Sequence, residues 1–272
     1  MPSLKVRGEQ IAQAADRLSS SFYRELARVL QDTERALQPI LRRALDGDRT
    51  ATVTGARGLV LRREVRQALE RAGYDALVDA ATSNAVQRMA DVVLATRIGA
   101  SAVKLIAPDA RKLQALVDIG RVNLLQVGDD TAAAIWRSVA SWVFSARPTN
   151  DILDDLFNAL DEDTGVIHTL FDTQVSTFGR QVEALAVADL PADQPFLYVG
   201  PNDQKNRPFC REHVGHVMTR AAIEGLDNGQ LPNPFVTGGG YNCRHSWLAV
   251  ESQELRDLAN TGRKAPEFAG RA

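Results

Sequence analysis

Ile11-Ala12-Gln13-Ala14-Ala15-Asp16-Arg17-Leu18-Ser19-Ser20-Ser21-Phe22-Tyr23-Arg24-Glu25-Leu26-Ala27-Arg28-Val29 decides the fold class. Ile11, Ala15, Leu18, Phe22, Leu26 and Val29 recur at spacings of three and four. At 3.6 residues per turn that spacing lines one face of an α-helix. Arg17, Arg24, Glu25 and Arg28 fall on the other faces. The pattern runs from Leu4 to about Leu45, and Pro39, which has no amide hydrogen to donate, is expected to kink or end the helix.

Outward from this stretch the helical period returns repeatedly. Gly47 lies near the expected end of the first helix, and Thr50–Gly58 is short, polar and β-branched, which predicts a loop or a brief hairpin. A helix is expected over Leu61–Ala72 with Gly73 as its stop. Another is expected over Asp75–Arg97, broken at Gly99, with Ala80, Ala81 and Ala85 allowing close packing. Asp109–Val127 is helical again through Leu113, Leu116, Val117 and Ile119, and Gly128-Asp129-Asp130-Thr131 reads as a stop followed by an N-cap. Ile135, Trp136, Val139, Trp142 and Val143 carry the next helix to a break at Arg147-Pro148. Thr149 or Asn150 then caps a short helix holding Ile152, Leu153, Leu156 and Leu160. After Asp161-Glu162-Asp163-Thr164 a last long helix is expected over Val166–Ala188, faced by Leu170, Phe171, Val175, Phe178, Val182 and Leu185.

The pattern changes after Leu190. Pro191, Pro195, Pro201, Pro208, Pro232 and Pro234 crowd together, with Gly238-Gly239-Gly240 close behind, and helices tolerate this poorly. The predicted fold is therefore mainly α: an extended helical region over 1–190, then a small, loop-rich α+β module over 191–260. A polar tail is expected over 261–272. Within the module Phe196–Val199 predicts a strand, Val217–Leu226 a short helix, and Trp247–Leu258 a helix or a strand leading into one. Tyr241 and Trp247 are expected to pack its core.

Composition narrows the function. The 272 residues are 44% hydrophobic and carry a net charge of -2, which argues against a strongly basic protein that coats DNA. Residues 1–100 hold 16 basic and 12 acidic side chains, residues 101–200 hold 7 and 14, and residues 201–272 hold 9 and 8. An acidic middle is a poor surface for nucleic acid and suits a basic protein partner, although ordinary solvated helix faces give the same balance. No run approaches the roughly 18 apolar residues of a membrane span. The basic start, Lys5 and Arg7, is not followed by the apolar stretch of a secretory signal, so synthesis and use in a cytoplasm are expected.

The informative segment lies in the module: Tyr198-Val199-Gly200-Pro201-Asn202-Asp203, then Arg207-Pro208-Phe209-Cys210, then Tyr241-Asn242-Cys243-Arg244-His245-Ser246-Trp247. These motifs resemble the C-terminal module of the head morphogenesis (minor head) proteins of tailed bacteriophages, the family of the phage Mu minor head protein F and its counterpart in phage SPP1. That family shows an Asp shortly before Arg-Pro-x-Cys, a turn-rich middle, and an Asn-Cys-Arg segment. Asp203, Arg207, Pro208, Asn242 and Arg244 match it, and Asp172-Thr173-Gln174-Val175-Ser176 matches the helical segment that precedes the module. The resemblance covers roughly residues 150–250. It implies a minor capsid protein acting in head morphogenesis, associated with the portal or the inner capsid surface. Portal and major capsid proteins, and packaged DNA, would be its partners, with no membrane. It would reside in the host cytoplasm during assembly and then in the virion.

Many relatives end the motif in Cys-Arg-Cys, whereas this chain has Cys243-Arg244-His245. Imidazole replaces thiolate as a zinc ligand, so a metal site survives the change. Cys210-x-x-His213 and Cys243-x-His245 offer two thiolates and two imidazoles, the closed tetrahedral set of a structural zinc site, with His216 as a substitute. Two alternatives stand beside it. The cysteines are buried small hydrophobes, or they form a disulfide after lysis, since the cytosol disfavours one earlier.

Two other functions compete with head assembly. An internal head protein would bind packaged DNA through the basic surplus of residues 1–100, with Arg62, Arg63 and Arg66 on one helix, and such binding weakens steeply with salt. A Cys/His-dependent hydrolase would pair Cys210 with His213 or His245, or use Glu212 as a base beside a metal. No cysteine-protease signature surrounds Cys210, and no Lys-Ser/Thr follows the triple glycine, so neither a thiol protease nor a phosphate loop is expected.

Overall fold

The structure is a computed structural model and describes residues 3–46, 55–96, 110–142 and 148–269. It is mainly α with a small α+β region, as the periodicity predicts. Five long helices come first: α1 (Leu4–Asp46), α2 (Gly55–Arg71), α3 (Tyr74–Ala95), α4 (Ala110–Trp142) and α5 (Thr149–Ala186). Then follow β1 (Pro195–Val199), α6 (Pro208–His213), β2 (Val217–Thr219), α7 (Arg220–Glu224), α8 (Pro234–Thr237), β3 (Ser246–Ala249), α9 (Gln253–Arg256) and a 3-10 turn at Pro266–Phe268. Among the described residues no helix is long and apolar enough to cross a membrane.

Three expected breaks are absent. Pro39 sits inside α1, which continues to Asp46. Leu37, Leu41 and Leu45 on either side of it are 0 to 1% exposed, and their burial offsets the roughly 3 kcal/mol that an interior proline costs. Gly128 does not end a helix, because α4 is continuous from Ala110 to Trp142. The segment Asp161–Thr164 does not separate two helices, because α5 is continuous from Thr149 to Ala186. The Gly73 stop is present, at φ 96° between α2 and α3. Helix α2 begins at Gly55, inside the segment expected as loop or hairpin, and Gly47, Thr50–Thr54, Gly99 and the Arg147 break lie outside the described residues.

The change of composition near residue 190 marks helix giving way to strand, and it does not bound a compact unit. The chain divides into one unit of Met1–Ser19, Ser83–Val117 and Leu170–Ala272, and another of Ser20–Thr82 and Asp118–Thr169. The module thus shares its unit with the first turns of α1 and the last turns of α5, because its three short strands cannot bury both their faces alone.

In the second unit α2, α3 and α4 meet around Tyr74, which is fully buried and donates its hydroxyl hydrogen to the Leu124 carbonyl at 2.8 Å. Gly128 is what lets α4 come this close. A Cβ there would stand 2.6 Å from Tyr74 Cε1. The neighbouring residues lock the same junction: Arg66 pairs with Asp75 at 2.9 Å and with Asp129 at 2.6 Å.

In the first unit the sheet order is β2-β1-β3, both pairs antiparallel. Central β1 is buried along its whole length, and Tyr198 stands opposite Trp247. The segment expected as a helix from Val217 begins instead as β2, with α7 following, because Val217 and Met218 pair with Leu197 and Phe196. Helix α1 covers the sheet at Gly8, where a Cβ would come within 2.6 Å of Val199 Cγ2. The expected polar tail is packed over its described part. Ala265 donates to the Gly215 carbonyl at 2.7 Å, Lys264 bridges to His216, and Phe268 is 7% exposed.

Replacing Gly128 by Val is expected to lower stability by about 1–3 kcal/mol, the usual cost of overpacking against a side chain that cannot move aside. Urea denaturation of wild type and variant measures it; an unchanged midpoint would show that α4 does not need this close approach.

Candidate metal centre

The site is assembled from four pieces of the first unit: the end of α5, strand β1, helix α6 and the loop from α8 into β3. Pro208 occupies the first turn of α6, where its missing amide hydrogen costs nothing, and this fixes Cys210 one turn on. The loop after α8 turns at Gly238, with φ 59° and ψ -133°, a conformation L side chains rarely adopt. A Cβ on Gly238 would lie 2.8 Å from the Cys243 sulfur, and one on Gly239 would lie 2.5 Å from the Cys210 sulfur. The two glycines therefore close directly over the sulfurs.

Cys210, Cys243 and His245 are all buried, and one ligand atom from each lies within 4.8 Å of the others. The two Sγ atoms are 3.7 Å apart, well beyond the roughly 2.0 Å of a disulfide, and both cysteines are free. Cys243 Sγ accepts from the Gly239 amide at 3.0 Å and from the His245 amide at 3.5 Å. The Tyr198 hydroxyl lies 3.3 Å from Cys243 Sγ and 3.6 Å from Cys210 Sγ. The His245 ring stacks on the Tyr198 ring at 5.2 Å and lies close against Gly200, where a Cβ would be 2.7 Å from the imidazole.

The hydrogen bond from Cys210 holds the Cys243 thiol well below the usual range, aided by the His245 side chain and the charge of Arg180. Cys210 is pushed up in turn, by that same hydrogen bond with Cys243, by burial and by the adjacent negative charge. Burial, then the neighbouring sulfur, raises the Tyr198 phenol well above its ordinary value. His245 is 1% exposed, and neither of its ring nitrogens has a hydrogen-bond partner among the described residues. An unpaired buried polar group costs about 1–3 kcal/mol, and this imidazole lies beside two sulfurs at distances compatible with a shared ion.

Of the four ligands expected from sequence, three come together and one does not. His213 turns away: its Nδ1 lies 2.9 Å from the Phe209 carbonyl and its ring stacks on Phe209 at 4.3 Å. The i,i+4 geometry of the short helix α6 draws it there. His216 is outside the group as well, facing Lys264 across a bridge, and burial first, then Lys264, lowers its pKa.

The motif residues act as struts around this centre. Asp203 pairs with Arg244 at 2.6 Å, and the Arg244 guanidinium holds the Asp203 carboxyl below the usual carboxylate range. Arg207 hydrogen-bonds Gln230, whose Oε1 also accepts from the Tyr241 amide at 3.0 Å. Asn242 has φ 54°, a left-handed position that Asn tolerates, and its amide donates to Thr173 Oγ1 of α5 at 3.0 Å. Tyr241, expected in the core, is 38% exposed, while Trp247 is buried as expected.

Two functional residues escape the sequence reading. Tyr198 opens the motif segment and reads as a strand residue, but nothing in its neighbours marks its hydroxyl as reaching the two sulfurs. Arg180 had a signal: it is the single Lys or Arg between Arg147 and Lys205, set among the apolar residues of α5. It is 2% exposed and donates to the carbonyls of Val236 at 2.8 Å, Cys243 at 2.9 Å and His245 at 3.0 Å.

The chain matches no protein-family model, no curated protein and no solved structure.

Arg180→Met removes the donor for three carbonyls at once and is expected to cost on the order of 3 kcal/mol in a urea denaturation series. Arg180→Lys is expected to recover little of it, since an ammonium group lacks the planar fork that reaches all three. Wild-type stability in the lysine variant would show that charge alone, rather than the fork, holds the loop.

Proposed function

We propose that this chain is a minor head protein of a tailed bacteriophage, acting in head morphogenesis beside the portal or on the inner capsid surface. One observation supports the reading above the others. Residues on which the family resemblance rests, although as many as 69 positions apart in sequence, interlock around one centre: Thr173 with Asn242, Asp203 with Arg244, Cys210 with Cys243. A motif whose members brace one another is a structural signature, and a catalytic one would present its groups to a substrate. Both sulfurs are buried, and Glu212, the base a hydrolase reading needs, is exposed and outside the group. The partners in this reading are portal and major capsid proteins, met in the host cytoplasm during assembly and retained in the virion.

A structural zinc ion held by Cys210, Cys243 and His245 belongs to the same reading. The two sulfurs and the unpaired imidazole fit the soft N/S ligand set that zinc takes. The ion would tie α6 to the loop before β3, which no disulfide does here. The competing DNA-binding reading loses one of its three arginines, since Arg66 is engaged with Asp75 and Asp129.

Quantitative mass spectrometry of DNA-filled particles and empty precursor heads, from the phage that encodes this chain, tests the assignment. A few to a dozen copies per particle are expected. Absence from both kinds of particle overturns the virion reading. Metal analysis of the purified chain is expected to find one zinc per molecule, lost in Cys243→Ala. Metal-free wild type after purification in zinc-containing buffer would sink the zinc reading.

A further inference from the structure

We infer that Tyr198 is the fourth ligand of this centre, closing it as a site of two thiolates, one imidazole and one phenolate; the inference rests on the zinc reading above. Three protein ligands are one short of the four that a closed structural site requires, and three ligands with an open fourth position are the pattern of catalytic zinc. The identity of the fourth group therefore decides which kind of site this is.

The spacing of the atoms selects Tyr198. With Zn–S bonds of about 2.3 Å, two thiolates at tetrahedral angles stand about 3.8 Å apart. Cys210 Sγ and Cys243 Sγ are 3.7 Å apart. With a Zn–O bond of about 2.0 Å, an oxygen ligand stands about 3.5 Å from each sulfur. The Tyr198 Oη lies 3.3 Å and 3.6 Å from them. Oxygen and sulfurs thus mark three corners of one tetrahedron, and an imidazole nitrogen of His245 lies within 4.8 Å of both sulfurs to supply the other.

The surroundings fit the assignment. Tyr198 comes from the fully buried central strand, and its hydroxyl has the two sulfurs as its hydrogen-bond partners among the described residues. Its ring is fixed between His245 at 5.2 Å and Trp247 at 4.5 Å, so the oxygen cannot swing away. Two thiolates and a phenolate carry three negative charges, and a divalent ion leaves one. Arg180, buried and bonded to the carbonyls of both Cys243 and His245, supplies the opposing charge. On ligation the phenolic proton and the remaining thiol protons of the two cysteines pass to solvent, and no redox partner is needed. A site closed in this way has no open position for substrate water, which ties the ligand set to a structural role.

The test is a cobalt(II) titration of the metal-free full-length chain under reducing conditions, followed by absorption spectroscopy. Wild type is expected to show tetrahedral cobalt bands with thiolate charge transfer, together with the ultraviolet difference band of tyrosinate. Tyr198→Phe is expected to keep the thiolate bands, lose the tyrosinate band and bind cobalt(II) at least about tenfold more weakly. Thiolate bands in wild type without a tyrosinate band overturn the role of Tyr198 and leave the Cys/His centre standing. This reading needs no variant, so it holds even if Tyr198→Phe folds poorly. Absence of cobalt bands in wild type, matching Cys243→Ala, overturns the metal centre itself.

Discussion

The first unit depends on one buried guanidinium. Arg180 leaves the apolar face of α5 and donates to three carbonyls in the stretch from Val236 to His245. Beyond the single turn of α8 that stretch is irregular, and the three carbonyls that Arg180 meets lie outside the sheet. Buried carbonyls without donors are costly, so a loop of this kind persists only where another element brings the donors. A planar fork with five N–H groups meets the need from a single residue. The glycines at 238 and 239, the position of Cys243 and the orientation of His245 follow from where that fork holds the backbone.

Close approach is the second constraint, and both units use it. Gly8 lets α1 lie on β1, and Gly179 lets α5 meet α3, where a Cβ would be 2.5 Å from Met89 Cε. Gly128 lets α4 meet Tyr74. In each case the missing side chain is replaced by a buried neighbour, so the helix loses a little propensity and gains packing. The module needs these helices. A three-stranded sheet of three to five residues per strand buries too little to stand alone, and α1 and α5 complete its core.

The Cys/His centre and its struts describe a device for fixing loops. Asp203–Arg244 joins two loops, Thr173–Asn242 ties the segment that carries Cys243 to α5, and Arg207–Gln230 reaches that segment through the Tyr241 amide. An ion pair this exposed and hydrogen bonds to loops contribute little individually, so their sum matters mainly for geometry. The sulfurs, the imidazole and the phenol lie inside that frame, shielded from solvent. This arrangement suits an assembly protein that must present one surface repeatedly, as the proposed minor head role requires.

Hydrophobic period by itself determined the helices, because burial of a face every 3.6 residues is local information. It placed α1 from Ile11 to Val29, the stop at Gly73 and the apolar face of α5 from Phe171 to Val182. Motif spacing likewise brought out Cys210, Cys243 and His245. Only the tertiary structure decided what the same residues do against a partner. Pro39, Gly128 and Asp161–Thr164 read locally as breaks, yet burial of Leu37 and Leu41, and the Tyr74 ring at Gly128, turn two of them into helix interior. His213 reads as a ligand by its spacing, but its ring is taken by Phe209. Arg180 stands out locally as a lone cation on an apolar helix face, but its task, like that of Tyr198, has no local record, since one depends on which carbonyls a distant loop leaves without donors and the other on where two distant sulfurs fall. Those are properties of chain crossings, and a one-dimensional pattern holds no record of them.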